Sequence, residues 1–139
     1  MPADTDTVKF RVRYSEIDRM DAVYNSRVLE WFEVGRTEYT RSMGLPYAEV
    51  EERGILLPIV EAHVEFKGRA SYDDLLEMTT AASMPSRLKA RFDVSIEHAN
   101  GDDPVATGYT LHAVTDGSGK PVRPPQWLRN VLQGGEGQE

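Results

Sequence analysis

Residues 26–43 read SRVLEWFEVGRTEYTRSM. At 100° per residue, Val28, Trp31, Phe32, Gly35, Tyr39 and Met43 fall on one arc, while Glu30, Glu33, Thr37 and Arg41 fall opposite. This spacing predicts an amphipathic helix of about 18 residues, roughly 27 Å long. Asn25 or Ser26 can cap its start, and Gly44 followed by Leu45-Pro46 ends it. A glycine inside the apolar arc costs about 1 kcal/mol relative to alanine. Close approach of the helix backbone to a packed sheet is the expected compensation, so the helix is predicted to be central.

The flanking sequence supplies strands. Val8, Phe10, Val12 and Tyr14 alternate with Lys9, Arg11 and Arg13, and a turn-prone stretch from Ser15 to Asp21 follows. Beyond the helix comes a short polar helix or loop at 47–54, then alternation over 58–67. A third strand spans 75–83, after the turn signal Tyr72-Asp73-Asp74. Pro85-Ser86 turns the chain into the cleanest alternation, in which Leu88, Ala90, Phe92, Val94 and Ile96 share a face. Asn100-Gly101-Asp102-Asp103 leads into a fifth strand at 105–115, and 126–132 reads as a short helix. One strand, one long helix and four consecutive antiparallel strands give an α+β domain. Hotdog and helix-grip architectures both fit this order. A single domain over 1–133 with a frayed tail at 134–139 is expected.

Composition narrows the chemistry. The chain has 139 residues, 40% of them hydrophobic, and a formal charge of −7. That balance disfavours a general nucleic-acid binder, since phosphate affinity comes from clustered Lys and Arg. The absence of cysteine excludes thiolate catalysis, Cys-ligated zinc and iron–sulfur clusters. No apolar run is long enough to span a membrane, and the first residues lack a signal-peptide pattern, so a cytoplasmic protein without membrane attachment is expected. His63, His98 and His112 have no metal-ligand spacing and read as ordinary strand histidines, so no metal and no cofactor is expected. Neither a Gly-x-Ser-x-Gly elbow nor a Gly-rich phosphate loop is present.

Glu16, Asp18 and Asp21 lie just upstream of the long helix, whose first N–H groups are unpaired and positively polarised. Helix capping and solvent exposure are their ordinary roles. The surrounding pattern gives Asp18 another. Tyr14-Ser-Glu-Ile-Asp18, Val23-Tyr24-Asn25, Leu29-Glu-Trp-Phe32-Glu33 and Arg36-Thr-Glu38 occur in order, followed by Gly44-Leu-Pro46, Pro58-Ile-Val-Glu61 and Ala70-Ser-Tyr-Asp-Asp74. The ordered set, over about residues 8 to 117, resembles the 4-hydroxybenzoyl-CoA thioesterase family of hotdog acyl-CoA thioesterases.

The resemblance implies a hotdog fold, an antiparallel five-stranded sheet wrapped around one long central helix. It also implies sites between protomers of a homodimer or homotetramer. Asp18 occupies the position of the family's catalytic carboxylate, as nucleophile or general base. The backbone around Tyr24 and Asn25 would polarise the thioester carbonyl. The implied substrate is an acyl-CoA with an aryl or short-to-medium acyl group, and an acyl-carrier-protein thioester also fits. Many members have glycine two or three residues after the aspartate, where this chain has Met20 and Asp21. A common His-Ala-Asn-Tyr stretch reads Asn25-Ser-Arg-Val28 here. Those positions border the acyl pocket, which makes Tyr24, Asn25 and Arg27 candidate substrate contacts. Arg27 and Asp21 could also pair with each other.

Arg87, Lys89 and Arg91 form a basic stripe on one strand face. The resemblance favours Arg87 first and Lys89 second for the coenzyme A phosphates. Glu33 and Arg36 have family counterparts too, although their i,i+3 spacing equally permits a surface ion pair. The altered loop from Met20 to Val28 motivates an alternative, a non-catalytic acyl-CoA or lipid-binding hotdog module. A hotdog dehydratase is disfavoured because residues 15–54 contain no histidine.

Overall fold

The computed structural model describes residues 5–133. The chain runs β1 (Thr5–Arg11), a single 3-10 turn (Tyr14–Glu16), α1 (Asn25–Ser42), α2 (Tyr47–Glu52), β2 (Ile59–Phe66), β3 (Leu75–Ser86), β4 (Lys89–His98), β5 (Pro104–Ala113) and α3 (Gln126–Leu132). The five strands form one antiparallel sheet in the order β1-β3-β4-β5-β2. β1 and β2 are therefore its edges. The predicted tail at 134–139 lies outside the described residues.

The helix follows the sequence pattern closely. Val28, Trp31, Phe32, Gly35 and Tyr39 are buried along one side, and Gly44 (φ 87°) stops the helix in the left-handed region that favours glycine. Capping differs from expectation. Tyr24, not Asn25 or Ser26, occupies the cap position, and no side chain caps the first turn.

α1 rests on the sheet at Gly35. A Cβ added there would lie 2.5 Å from Thr80 Oγ1 and 3.2 Å from Met78 Sδ, both on β3. The backbone-to-sheet approach expected from Gly35 is therefore real. Two apolar clusters meet the helix. Trp31 and Phe32 pack with Leu76, Met78, Val94 and Ile96. Tyr39 packs with Leu57, Phe92, Val114, Leu128 and Leu132.

Strand ends depart from the pattern where tertiary contacts take over. Tyr14 leaves the β1 alternation because the chain turns at 14–16, and its side chain is 75% exposed. β3 runs through Pro85 with a register irregularity between Ser83 and Ser86, so the hairpin turn falls at Arg87 and Leu88. A bulge accommodates proline's missing N–H. β2 alternates in sequence, yet all of it except Val64 is exposed, because it pairs only with β5 and carries an open outer edge.

Gly35→Ala should lower stability. Overpacking against Thr80, whose β-branched side chain cannot turn aside freely, costs about 1–3 kcal/mol, against a helix-propensity gain of about 1 kcal/mol. Chemical denaturation should show a reduced midpoint with an unchanged slope.

Candidate active site

The segment between β1 and α1 is organised by one buried carboxylate. Glu16, 2% exposed, accepts hydrogen bonds from the Arg13 backbone N–H (2.8 Å), the Arg13 guanidinium (3.0 Å) and Trp31 Nε1 (2.9 Å). Burial pushes its pKa up, but these donors outweigh burial and hold it below the ordinary glutamate value. The Glu16 carbonyl also accepts from Tyr24 N–H at 3.0 Å. The exit of β1 and the start of α1 are thereby tied together.

Asp18 sits inside this tie, half-buried. Its Oδ1 accepts from the backbone N–H groups of Met20 (2.8 Å) and Ala22 (3.1 Å), and its own N–H bonds to Ala22 O at 2.8 Å. The second carboxylate oxygen has no partner among the described residues. Asp21, at φ 58°, completes the turn and accepts from Tyr72 N–H at 3.0 Å. The Arg69 guanidinium bonds to Met20 O, and Val23 N–H to Ala70 O at 3.2 Å. The connection between β2 and β3 thus clamps the aspartate loop from outside.

The helix begins immediately after this loop. Tyr24 N–H is taken by Glu16, while those of Asn25 and Ser26 have no partner among the described residues. Asn25 lines a cavity of about 240 Å³ with Ala22, Val28, Trp31, Phe66 and Arg69. Asp18 adjoins this cavity through its two bonds to Ala22. One stretch of chain thus holds a carboxylate fixed through one oxygen, a helix start with unpaired N–H donors and a largely apolar hollow at Asn25.

The other sequence candidates fall elsewhere. Tyr24 is 48% exposed at the cap position. Arg27 pairs with Glu30 at 2.9 Å, not with Asp21, and does not line the helix-start cavity. Arg87 lies in the β3–β4 turn and Lys89 opens β4, both exposed and without ion pairs among the described residues. Arg91 leaves the expected basic stripe, since it bonds Asp93 (3.0 Å) and lies over the Tyr109 ring (3.9 Å). β3 spans 11 residue steps, about 36 Å of extended chain. Arg87 and Lys89 lie at its far end from the Asp18 loop, so one chain does not bring the two groups together.

A hollow of about 550 Å³ is an open dish on the outer sheet face lined in part by His63, Glu65, Arg91, Asp93 and Tyr109. Its charges are internally paired, including His63–Glu65 at 3.2 Å and Arg91–Asp93 at 3.0 Å. It is remote from the unpaired helix start. Among the described residues, no group of three or more His, Asp or Glu is arranged to hold a metal ion. No helix there is long and apolar enough to cross a membrane.

Sequence reasoning passed over a second enclosed site, a cavity of about 250 Å³ between the middle of α1 and the β5–β2 side of the sheet. Arg36, Tyr47, Leu57, Ile59, Phe92 and His112 face it. Arg36 forms no ion pair with Glu33, contrary to the i,i+3 spacing; its hydrogen bond is a long one, 3.5 Å, to Thr110 Oγ1. His112 is 3% exposed, with Nδ1 2.8 Å from Leu57 O and Nε2 2.9 Å from Thr110 Oγ1. The carbonyl requires Nδ1 to carry the proton, so His112 is the neutral tautomer accepting from Thr110. Burial lowers its pKa to about 4; the Leu57 bond opposes this shift and the Arg36 charge reinforces it. The available sequence signal was Arg36 itself, four residues after Phe32 and three before Tyr39, at the border of the apolar arc.

A five-stranded antiparallel sheet around one long helix is the hotdog fold, and the relatives of this chain make it a thioester hydrolase. The chain belongs to the Thioesterase-like superfamily, which its residues 12–132 match. It is 28% identical over 115 residues to a Bacillus subtilis (strain 168) protein named "Putative acyl-CoA thioesterase YneP", covering 83% of each chain. It is 26% identical over 125 residues to 1,4-dihydroxy-2-naphthoyl-CoA hydrolase of Synechococcus elongatus, covering 88% of this chain and 90% of that one. The crystal structure of Slr0204, a 1,4-dihydroxy-2-naphthoyl-CoA thioesterase from Synechocystis, superposes with a TM-score of 0.85 at 21% identity, over 93% of this chain and 96% of that one. That last likeness concerns the fold.

Acid should destabilise the protein in two stages. His112 has a depressed folded pKa, so its contribution is complete above about 6.5 and is lost as pH falls toward about 4. Glu16 is likewise depressed, and its contribution fades only below its unfolded value of 4.5. Denaturation midpoints measured from pH 7 to 3 should show both losses. His112→Gln should flatten the upper one and Glu16→Gln the lower.

Proposed function

We propose that this chain hydrolyses an acyl-CoA with an aryl or short-to-medium acyl group to the free acid and coenzyme A. The observation that carries this reading is Asp18, whose one oxygen is fixed by two backbone N–H groups while the other is free, beside a helix start with no side-chain cap. The motif order from Tyr14 to Asp74 supports a likeness to the 4-hydroxybenzoyl-CoA thioesterases within its superfamily. The named relatives support a coenzyme A thioester and, in one case, an aryl acid. An acyl-carrier-protein thioester would undergo the same chemistry.

The free Asp18 oxygen acts in one of two ways. It attacks the carbonyl carbon to give a mixed anhydride that water then opens, or it takes a proton from the water that attacks. Either route breaks the carbon–sulfur bond and releases coenzyme A as thiolate, which solvent protonates. The N–H groups of Asn25 and Ser26 donate hydrogen bonds to the developing oxyanion, an effect worth about 10²–10³ in rate at comparable sites. Tyr24 and Asn25 border the acyl group, with Arg27 at the outer rim.

Arg87 and Lys89 hold the coenzyme A phosphates in this reading, and they do so from a second copy. The open edge of β2 exposes Ile59 (48%), Val60 (53%) and Phe66 (52%), an unusual burden for a free sheet edge. Antiparallel pairing of this edge across a two-fold axis normal to the sheet reverses the second copy end for end. Its Lys89 end then lies beside the Asp18 end of the first.

Asp18→Asn should lower turnover by about 10²-fold or more while acyl-CoA binding persists, measured as free-thiol release from an acyl-CoA panel and by calorimetry. Unchanged turnover would remove Asp18 from the mechanism, and binding without hydrolysis of any ester by the native chain would make it a binding module. Mixing the Asp18→Asn protein with an Arg87→Ser/Lys89→Ser protein under subunit exchange should restore turnover above either parent. No restoration would place both groups' action within one copy.

A further inference from the structure

We propose that the enclosed cavity at Arg36 is an anion-recognition pocket for the carboxylate, or equivalent negatively charged oxygen, of a small and largely apolar organic acid. The inference stands on the cavity itself; only the assignment of the ligand to the acyl end of a thioester rests on the function proposed above.

Arg36 is a half-buried cation with no carboxylate within 4.0 Å among the described residues. Its guanidinium offers five N–H donors, and the structure commits one of them, weakly, to Thr110. Burial lowers its pKa, partly offset by Glu33 and by Tyr47, so the cation is held under a desolvation strain that a bound anion would relieve. Tyr47 faces the same cavity. Its hydroxyl oxygen accepts from Leu57 N–H at 3.2 Å, which leaves the phenolic proton free to donate. Burial raises the Tyr47 pKa, so that proton stays in place at neutral pH.

Of the remaining polar groups, Thr40 donates to Thr37 O, while the exposed Glu33 carboxylate also lines the cavity and contributes the one negative charge there, more than 4.0 Å from Arg36. Leu57 O takes the His112 Nδ1 proton, and Thr110 bridges His112 to Arg36. His112 is thus locked as a neutral wall and adds no competing charge. The cavity therefore presents two uncommitted donors, Arg36 and Tyr47, between the apolar surfaces of Leu57, Ile59 and Phe92. Its volume of about 250 Å³ is below the roughly 300–1,000 Å³ of pockets that enclose drug-sized ligands. It suits a benzoate-sized group, not a whole acyl-CoA.

Its position suggests how such a group could arrive. Arg36 lies 11 residues beyond Asn25, about 16 Å along α1. The cavity meets β2 at Ile59, whereas the helix-start cavity meets it at Phe66. Edge pairing of two copies would set the Arg36 cavity of one beside the Asp18 loop of the other. The anion could then be the distal end of the acyl group. It could equally be a free acid bound in its own right, and the two share the same recognition chemistry.

Sodium benzoate titrated into the full chain provides the test, with neutral benzamide as its counterpart, followed by NMR of the His112 ring and the Ile59 methyls. Benzoate should shift those signals, and benzamide should bind at least about tenfold more weakly, as expected for loss of a charge-assisted contact. Arg36→Met should weaken benzoate by about 10–100-fold while changing benzamide by less than about threefold, and Arg36→Lys should retain part of the difference. Equal affinity for the two probes, or shifts confined to Asn25 or Lys89, would overturn the proposal. The native-chain comparison decides this even if Arg36→Met fails to fold. If benzoate inhibits benzoyl-CoA hydrolysis competitively, the pocket serves the acyl end; non-competitive inhibition at saturating thioester identifies a separate acid. Both inhibition patterns support the pocket, and neither binding readout depends on the chain being active.

Discussion

The seat of α1 on β3 governs the molecule. At Gly35 the helix backbone comes so close to the sheet that even a methyl group would meet Thr80 Oγ1 at 2.5 Å. Two large aromatic clusters can then contact the sheet at once, Trp31 and Phe32 on one side of the glycine and Tyr39 on the other. A side chain at position 35 would lift the helix at its centre and loosen both. The two candidate cavities lie on either side of this contact along the helix, one at its start and one beyond its middle.

The helix start shows a different economy. A serine, aspartate or asparagine cap would contribute about 1 kcal/mol of helix stability. The chain instead places Tyr24 at the cap without a side-chain bond and secures the segment through Glu16, whose carboxylate and carbonyl reach Arg13, Trp31 and Tyr24. Stability is supplied behind the loop rather than at the helix tip. Donors that a side-chain cap would have consumed remain unpaired. Sites that polarise a carbonyl need donors of this kind, fixed before the substrate arrives.

Sequence and structure agree where a single periodicity controls burial. The arc of α1 and the alternation of β4 were legible because each buries one continuous face against one neighbour. Asp18 stood out in the sequence through its motif alone, and its catalytic role is a proposal. What escaped were arrangements made by distant segments. The Arg36 cavity joins a helix residue to Thr110, 74 positions away, and to a histidine whose neutral state depends on the Leu57 carbonyl. The i,i+3 spacing of Glu33 and Arg36 suggested a surface pair, but the turn of the helix carries Arg36 toward the sheet and leaves Glu33 exposed. In the basic stripe, Arg91 is engaged by Asp93 on its own strand and Tyr109 on the next, pairings that the sequence did not indicate, while Arg87 and Lys89 stay exposed.

β2 shows why the chain looks unfinished by itself. Its alternation is that of a strand with a covered face, yet nearly every residue is exposed and only one edge is paired. The groups suited to a thioester substrate are also distributed end to end along the sheet: carboxylate and helix start at the Phe66 end, Arg36 cavity and Lys89 at the Ile59 end. β2 has seven residue steps, about 23 Å, between those ends, so a single copy cannot close the distance by local motion. Under the proposed function, a two-fold operation at the β2 edge would meet both deficits together. It would cover the apolar edge and, by reversing the second copy, set each carboxylate loop beside the other copy's cavity and basic turn. An interface that only stabilised the edge would not need its axis at the middle of β2. One that completes the proposed site does, because the Arg36 cavity meets β2 at Ile59 and the helix-start cavity meets it at Phe66.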